Sequence, residues 1–303
     1  MASTPWMCPA FNAEETDLQP RRCVAPIIKS PEYMILPVLV AILTCSQSSP
    51  ERVTSARAQA EALFAQENIT LVDGMVASDK GVDDLYDSRL GLLRSKRRPT
   101  RQEIAVYGTH RMAWTALLAS SHDYALVLED DFRVIDAKTV VDCLNNLADL
   151  MGGNRNLVKL FDFPRHDPVG AAIATTVKAI RLVKWARPRA GMVAYFISRQ
   201  GAERYLTRGK VFRAVDEDIK YYWELGLDVW SVPGNAVVDG SAELGGSLVE
   251  QSRLGSKRRS ISRSLHGLML NISRDVMNWR AFERYRARHG YETTYMQSGD
   301  PEG

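Results

Sequence analysis

The sequence predicts an α/β fold in which helices flank a mostly parallel sheet. Its first apolar run, at 33–45, is typical of a buried strand, and a helical pattern and a second strand-like stretch, "ITLVDG" at 69–74, follow it. A strand, a helix and a strand in this order usually form a parallel pair, because the helix crosses over one face of the sheet. We therefore expect the domain to begin with this unit.

The later segments continue the arrangement of helices and strands. The first helix is predicted to begin at Pro50 with Ser49 as its N-cap, and the second begins at about Thr100, after a basic loop. On the second helix, a stripe expected to face the core consists of Ile104, Gly108, Met112 and Ala116. Further strands are predicted at 124–131, 156–163, 191–198 and 227–240, and further helices at 138–151, 199–209 and 214–226.

The composition of the chain is that of a globular protein able to bury a core. Of its 303 residues, 45% are hydrophobic and 25% are charged. The four cysteines form no C-x-x-C pair, which argues against a zinc site or a disulfide framework and favours a reducing compartment. The longest apolar run is interrupted by Pro37 and is shorter than the roughly 20 residues of a membrane span. We expect a cytoplasmic location.

Charge and proline content divide the chain into three parts. Residues 1–32 hold five prolines without apolar periodicity, which predicts a flexible tail, and 33–250 form the α/β domain. Residues 251–303 are expected to form a basic amphipathic helical extension and a C-terminal tail. Between Arg253 and His289 there are ten Lys and Arg residues against two acids. The predicted helix at 260–288 has an apolar stripe, expected to pack on the domain or to contact a membrane surface or a partner: Ile261, Leu265, Leu268, Ile272, Val276 and Trp279.

An acidic triplet directly follows the strand-like stretch "YALVL". If the strand continues through the triplet, Glu129 and Asp131 point to one face and Asp130 to the other. Two carboxylates on one face repel each other unless a cation lies between them, and hard oxygen ligands suit Mg²⁺ or Mn²⁺. Alternatively, the acids cap a turn or the next helix, or pair with an arginine such as Arg133.

Six motifs in order over about residues 36–248 resemble glycosyltransferase family 25, which includes lipopolysaccharide and collagen hydroxylysine galactosyltransferases. The motifs are "PER" around Arg52, "VDG" at 72–74, "QEIAVYGTHRMAW" at 102–114, "ALVLEDDF" at 125–132, "AGMVAYFISRQGAERYL" at 190–206 and "VDEDI" at 215–219. The chain departs from the family at "AILTCSQ", which lacks the family's asparagine, and at "YGTH", where the family has a cysteine and a serine before the histidine. These departures leave the donor-base contacts and the sugar open.

The resemblance implies a GT-A fold, which is Rossmann-like, and an inverting, metal-dependent transfer of a hexose from a UDP-sugar. It implies that Glu129 and Asp131 bind Mn²⁺ or Mg²⁺ and that Asp216 is the catalytic base, with Glu217 and Asp218 as neighbours able to replace it. Donor contacts are implied for Thr44, Arg52, Asp73, Glu103, His110, Asp130 and Ser247. From the residues alone, the acids at 216–218 are also typical of a helix N-terminus, and a histidine beside a tryptophan is more often a core residue.

Different functions compete with the transferase. A degenerate relative could keep the fold and bind a glycan or a partner. Nucleic-acid binding by the C-terminal helix has support only from Trp279, Phe282 and Tyr285, so no nucleic acid is expected. For a transferase, the acceptor is a glycan, a lipid-linked saccharide or a protein hydroxyl, and a lipid-linked acceptor makes peripheral membrane contact through the basic helix an expectation.

Overall fold

The computed structural model describes residues 38–164, 169–246 and 261–297. The predicted tail at 1–32 and the predicted junction at 250 lie outside these ranges. The division of the chain into three parts therefore stays a prediction.

The strands of the described ranges are numbered in chain order: β1 (Val38–Cys45), β2 (Ile69–Gly74), β3 (Tyr124–Glu129), β4 (Phe132–Val134), β5 (Leu157–Lys159), β6 (Val169–Val177), β7 (Ile180–Trp185), β8 (Ala194–Ser198), β9 (Val229–Ser231), β10 (Val237–Asp239) and β11 (Thr294–Gln297). The α-helices are α1 (Pro50–Glu61), α2 (Gly81–Leu85), α3 (Ser88–Arg94), α4 (Arg101–Ala119), α5 (Ala137–Asn145), α6 (Leu147–Leu150), α7 (Arg199–Leu206), α8 (Val215–Asp218) and α9 (Ile261–His289). Short 3₁₀ helices lie at Gln66–Asn68, Ile219–Glu224 and Ser241–Glu243.

The predicted α/β class is confirmed by the central sheet. Its strands lie in the order β11-β6-β7-β9-β5-β8-β3-β1-β2. The pairings make β1, β2, β3, β5, β6 and β9 run in one direction, whereas β7, β8 and β11 run in the other. The opening unit β1-α1-β2 is parallel as expected, and β4 and β10 form a separate antiparallel pair.

Two helix starts follow directly from the sequence. Ser49 caps α1 by accepting a hydrogen bond from the backbone N–H of Arg52, and Pro50 occupies the first turn. Thr100 and Glu103 form a capping box at the start of α4. Of the stripe predicted on α4, Ile104 and Gly108 are buried as expected, but Met112 is 42% exposed. Trp114, outside that stripe, is fully buried and stacks 4.2 Å from the ring of Tyr205.

The strand through the acidic triplet is shorter than predicted. β3 ends at Glu129, and Asp130 and Asp131 form a turn that leads into β4. The alternation argument therefore fails beyond Glu129, and the prediction that Asp130 points to the opposite face is wrong. The turn is held in place by a hydrogen bond of 2.8 Å from the Gly240 backbone N–H to the Asp131 carbonyl oxygen. A β-carbon at Gly240 would lie 2.9 Å from that oxygen, so the position requires glycine.

The hairpin of β6 and β7 and the strand β11 were not predicted. The chain turns between Val177 and Ile180, where Lys178 has a φ of 54°. The turn contains neither Asn-Gly nor Asp-Gly, which are the usual sequence signals of a tight hairpin. Strand β6, which lies between β11 and β7, consists largely of small residues with weak burial alternation. A pattern of period two is therefore barely visible in the sequence.

The C-terminal helix α9 packs on the domain through a face other than the predicted one. Phe282 is fully buried, Asn278 is 1% exposed, and the ring of Tyr285 lies 6.1 Å from that of Trp230. The predicted stripe is exposed instead: Leu265 is 62% exposed, Leu268 53%, Ile272 56%, Val276 43% and Trp279 45%. Because Phe282 and Tyr285 pack inward, the three aromatics do not form one platform for nucleic-acid bases. No helix in the described ranges is long and apolar enough to cross a membrane.

Removal of the inward anchor of α9 should destabilise the chain. We expect Phe282→Ala to lower the free energy of unfolding by about 3 to 5 kcal/mol, because the substitution leaves a cavity at a fully buried position. The matched control is Leu265→Ala on the same helix, at a side chain 62% exposed, which should change it by no more than about 0.5 kcal/mol. Urea denaturation of both variants measures the difference. Equal losses would contradict the observed orientation of α9.

Candidate functional site

A cavity of about 180 Å³ lies at the carboxyl ends of β1, β2 and β3. Its walls come from the end of β1, the turn after β3, one face of α4 and the start of α8. Apolar surface is contributed by Met75, Phe163 and Met192, among others. Open α/β sheets bind ligands at this edge, because the loops that follow the strands diverge there.

Six carboxylates line this cavity, which is called the acidic cavity below. Glu103 comes from α4, and the other five come from the end of β3 and its turn, from α8 and from β10: Glu129, Asp130, Asp131, Asp216 and Asp239. Sequence reasoning missed Asp239. Its signal was available, because "VVDG" at 237–240 repeats the pattern of "VLED" at 127–130, in which an apolar strand ends in an acid. Antiparallel pairing of Asp239 with Phe132 brings the second strand end beside the first.

Arg52 is the cation that faces the acids of the β3 turn. Its guanidinium lies 3.1 Å from Asp130 Oδ1 and 3.5 Å from Asp131 Oδ2, and the residue is 5% exposed. The same group donates to the carbonyl oxygens of Leu244 at 3.2 Å and Gly246 at 2.7 Å. Arg52 therefore neutralises part of the acidic charge and fixes the turn after Ser241–Glu243. These contacts use N–H groups of Arg52 that the resemblance implies would contact the UDP-sugar.

Burial and like charge raise the proton affinity of two acids in the cavity. Burial raises the pKa of Asp131 to about 8, and repulsion from Glu129 and Asp239 adds to the effect. Burial also raises the pKa of Glu129 well above its usual value, with further repulsion from Asp216 and Asp130. Arg52 opposes both shifts without cancelling them. The cavity thus has a deficit of positive charge.

The carboxylates fit a divalent cation of the Mg²⁺ or Mn²⁺ type. Asp131 Oδ1 is buried and has no hydrogen-bond donor among the described residues, although a buried acceptor without a partner costs free energy. All the oxygens available are hard donors. No group of three or more His, Cys, Asp or Glu side chains in the described ranges has the arrangement of a metal site. Glu129 and Asp131 would therefore be a two-carboxylate anchor, with other positions left to ligand oxygens.

His110 lies behind Glu129 at the end of a buried hydrogen-bond chain. Trp114 Nε1–H donates to the Tyr195 hydroxyl at 2.9 Å, and that hydroxyl lies 2.9 Å from His110 Nδ1. His110 Nε2 lies 3.3 Å from Glu129 Oε1. Burial lowers the pKa of His110 to about 4, so the ring is neutral near pH 7. The Tyr195 hydroxyl oxygen already accepts a hydrogen bond from Trp114, so we assign its own proton to the contact with Nδ1 and the ring proton to Nε2, where it is donated to Glu129.

The three acids at 216–218 lie in three different environments. Asp216 lines the acidic cavity, and no described residue forms an ion pair with it. Asp218 is 1% exposed and accepts hydrogen bonds from Tyr107 Oη at 2.7 Å and Arg213 Nη1 at 3.1 Å, with Arg208 also bonded to it. The structure therefore buries Asp218 in a stabilising network away from the cavity.

Glu217 is surrounded by cations. Lys220 Nζ lies 2.8 Å from its carboxylate, Arg274 Nη1 3.5 Å and Lys96 Nζ 3.6 Å. Burial by itself would raise the pKa of Glu217, but the three cations lower it. A carboxylate held ionised in this way is a weak proton acceptor, so among the three acids only Asp216 combines access to the cavity with freedom from a strong partner.

The other predicted donor contacts have mixed outcomes. Thr44 and Glu103 line the acidic cavity, but Glu103 is 2% exposed and is bound to Arg97 and the Thr100 backbone N–H. Asp73 is paired in register with Thr44 on the neighbouring strand, yet its side chain is exposed and does not line the cavity. The prediction for Ser247 falls outside the described residues.

Comparisons with known proteins give no family. No protein-family model and no curated protein matches the chain. Among solved structures, it is similar to mannose-1-phosphate geranyltransferase from Thermus thermophilus, with 10% identity, 65% of this chain and 73% of that chain covered and a TM-score of 0.36. It is also similar to CMP:2-keto-3-deoxy-manno-octonic acid synthetase complexed with CTP, with 9% identity, 72% of this chain and 98% of that chain covered and a TM-score of 0.31. The likeness to A197 from STIV has 12% identity, covers 66% of this chain and 83% of that chain, and has a TM-score of 0.31. At such low TM-scores, no functional argument rests on these likenesses.

Loss of Arg52 should destabilise the chain through the charge that it leaves behind. We expect Arg52→Met to lower the free energy of unfolding by about 3 kcal/mol near neutral pH, because buried acids lose their cation and two carbonyls lose their donor. The matched control is Arg57→Met on the same helix, where an exposed pair with Glu61 is worth at most about 0.5 kcal/mol. Chemical denaturation without added metal compares the two, and a loss at Arg52 as small as that at Arg57 would refute this role.

Proposed function

We propose that the chain is a metal-dependent inverting glycosyltransferase that resembles family 25 and transfers a hexose, such as galactose, from a UDP-sugar to an acceptor hydroxyl. One observation carries the proposal. A buried, unpartnered Asp131 oxygen and the neighbouring Glu129 lie in an acidic cavity at the carboxyl ends of the parallel strands. Such a cavity suits a metal-bound diphosphate better than a free anion, since the carboxylates alone would repel phosphate.

In this proposal Glu129 and Asp131 hold Mn²⁺ or Mg²⁺. When bound, the ion neutralises the charge that develops on the departing nucleoside diphosphate. His110 keeps Glu129 in place by donating Nε2–H to it, and Tyr195 fixes the tautomer that makes this possible. Arg52 holds the turn that carries Asp131, so it acts through position more than through direct contact with the donor.

Asp216 is the residue proposed as the general base. It lines the same cavity and has no competing cation among the described residues. In the proposed step, the acceptor hydroxyl transfers its proton to Asp216 as its oxygen forms a bond to the anomeric carbon. The bond between that carbon and the diphosphate oxygen breaks, and the electron pair leaves with the nucleoside diphosphate. Attack opposite to the leaving group inverts the anomeric configuration.

Two isosteric variants separate metal binding from proton transfer. We expect Asp131→Asn to abolish both the rise in unfolding temperature caused by Mn²⁺ with UDP and the hydrolysis and transfer of UDP-hexose. Asp216→Asn should keep metal-dependent UDP binding but lower transfer by about 100-fold or more, because only the base is lost.

The measurements are calorimetric titration of UDP with and without Mn²⁺ and a screen of UDP-sugars for metal-dependent turnover. Asp83→Asn, an exposed acid outside the cavity, is the matched control. Turnover that survives in Asp131→Asn or in excess chelator would overturn the proposal. Absence of metal-dependent UDP binding in the wild-type chain would favour a binding module for a glycan or a partner.

The exposed stripe of α9 supports a further part of the proposal, contact with an anionic membrane surface that carries the acceptor. Leu265, Leu268 and Ile272 are each more than half exposed, and the segment around them is rich in arginine and lysine. An apolar helix face in a basic segment is the pattern of helices that lie in the lipid headgroup region. The inward face is already used for packing on the domain.

The membrane contact predicts a loss of vesicle binding when the stripe becomes polar. We expect Leu268→Ser with Ile272→Ser to lower the partition coefficient on phosphatidylglycerol vesicles at least tenfold, since each side chain contributes on the order of 1 to 2 kcal/mol on burial. Flotation compares this variant with Leu92→Ser, which changes an apolar residue 74% exposed on α3. Equal recovery of the two variants with vesicles would exclude this contact.

A further inference from the structure

A second cavity, of about 200 Å³, lies beside the acidic cavity and has the opposite charge. Phe163 lines both, so the two cavities share a wall. The charged residues of the second wall come from the β7–β8 loop, the 3₁₀ helix after α8, and α9: Arg187, Arg189, Lys220, Arg274 and Asp275. It is called the basic cavity below.

Cations outnumber carboxylates among the described residues in and around the basic cavity. Arg274 bridges Asp275 at 3.2 Å and Glu217 at 3.5 Å, and Asp275 also lies 3.5 Å from Arg187. Glu217 is shared by Lys220 and Lys96 as well. Among the described residues that line the basic cavity, four are cationic and one, Asp275, is a carboxylate.

Two cations of the basic cavity, Arg187 and Lys220, are accessible to a ligand, whereas Arg189 is 6% exposed. The Arg187 side chain is 52% exposed and that of Lys220 is 27% exposed, so neither is sealed by its carboxylate partner. Arg189 is held over the ring of Trp185 at 3.9 Å. A planar guanidinium that is already oriented loses less freedom when it binds a carboxylate or phosphate.

The basic cavity lies next to the proposed base. Asp216, in the acidic cavity, directly precedes Glu217, whose carboxylate contacts Lys220 and Arg274 of the basic cavity. A ligand with a hydroxyl near Asp216 and an anionic group a few ångströms away would contact both walls. The acids of the first cavity would repel such an anionic group, so it has one favourable position.

We propose that the basic cavity binds an anionic group of the acceptor, a phosphate or a sugar carboxylate, and so selects acidic saccharides as substrates. This inference rests on the proposed transferase function and deepens it by naming the acceptor class. The nucleotide diphosphate is the competing occupant of a basic cavity. The binding experiment separates the two, because loss of cations here should not affect a donor held at Glu129 and Asp131.

The test compares the binding of glucose 6-phosphate, glucuronate and glucose by ligand-detected NMR titration. In the full-length wild-type chain we expect a dissociation constant about tenfold lower for each anionic sugar than for glucose. Arg187→Gln with Lys220→Gln should remove this preference. Titration of UDP with Mn²⁺ should give the same constant in this variant as in the wild-type chain.

The matched control is Arg280→Gln with Arg284→Gln, which removes two exposed charges from α9 outside the basic cavity. This control should keep the preference for anionic sugars. Thermal unfolding checks that both double variants fold. If the variant with Arg187→Gln and Lys220→Gln does not fold, Arg187→Gln alone is used in its place.

Equal binding of glucose and the anionic sugars would overturn the inference, as would unchanged preference in the Arg187 and Lys220 variant. Weakened binding of UDP with Mn²⁺ in that variant would also overturn it and assign the cavity to the donor. If the wild-type chain binds anionic sugars through Arg187 and Lys220 but never binds UDP with Mn²⁺, the anion site stands and the transferase proposal falls.

Discussion

Repulsion among carboxylates at one edge of the sheet is the constraint on which the described site depends. The end of β3 and the turn after it carry three acids, β10 adds Asp239 and α8 adds Asp216, and Arg52 is the cation that faces the turn. Removing water from these groups raises the pKa of Asp131 to about 8, because burial and like charge both disfavour its ionised form. A fold that keeps such an arrangement has lost stability unless a cation offsets it. The acids are therefore better explained by a ligand than by packing.

The acids at the carboxyl end of β3 could be predicted from the sequence, because their position depends on local sequence patterns. An apolar strand followed by acids, a Ser-Pro helix start and a Thr-x-x-Glu capping box are each readable within a few residues. Asp239 could not be placed with the triplet, because its position depends on the pairing of β10 with β4, which are about a hundred residues apart along the chain. Whether the apolar stripe of the C-terminal helix is buried or exposed could not be predicted either, because periodicity identifies an apolar face but does not show what packs against it.

The acids at 216–218 show why a motif cannot assign a base. All three lie in one short helix, and successive positions on a helix point about 100° apart. Asp216 consequently faces the acidic cavity, Glu217 meets three cations, and Asp218 enters the network of Tyr107, Arg208 and Arg213. The acidic pattern alone does not distinguish the three acids, and the resemblance favours Asp216, whereas the structure separates them by their access to the cavity and by their partners.

Under the proposed function, the two adjacent cavities would turn this separation into a means of selecting acceptors. Glu217, which directly follows Asp216 in the chain, pairs with Lys220 and Arg274 and so links these two cations of the basic cavity to the helix that carries Asp216. An anionic ligand would be repelled on one side of Phe163 and attracted on the other, so its orientation would be set by charge before any specific hydrogen bond forms. Specificity of this kind rejects neutral ligands without requiring a tight pocket. The helix α9 supplies both Arg274 and the exposed apolar stripe, so under the proposed function a membrane-borne acceptor would approach the basic cavity along this helix.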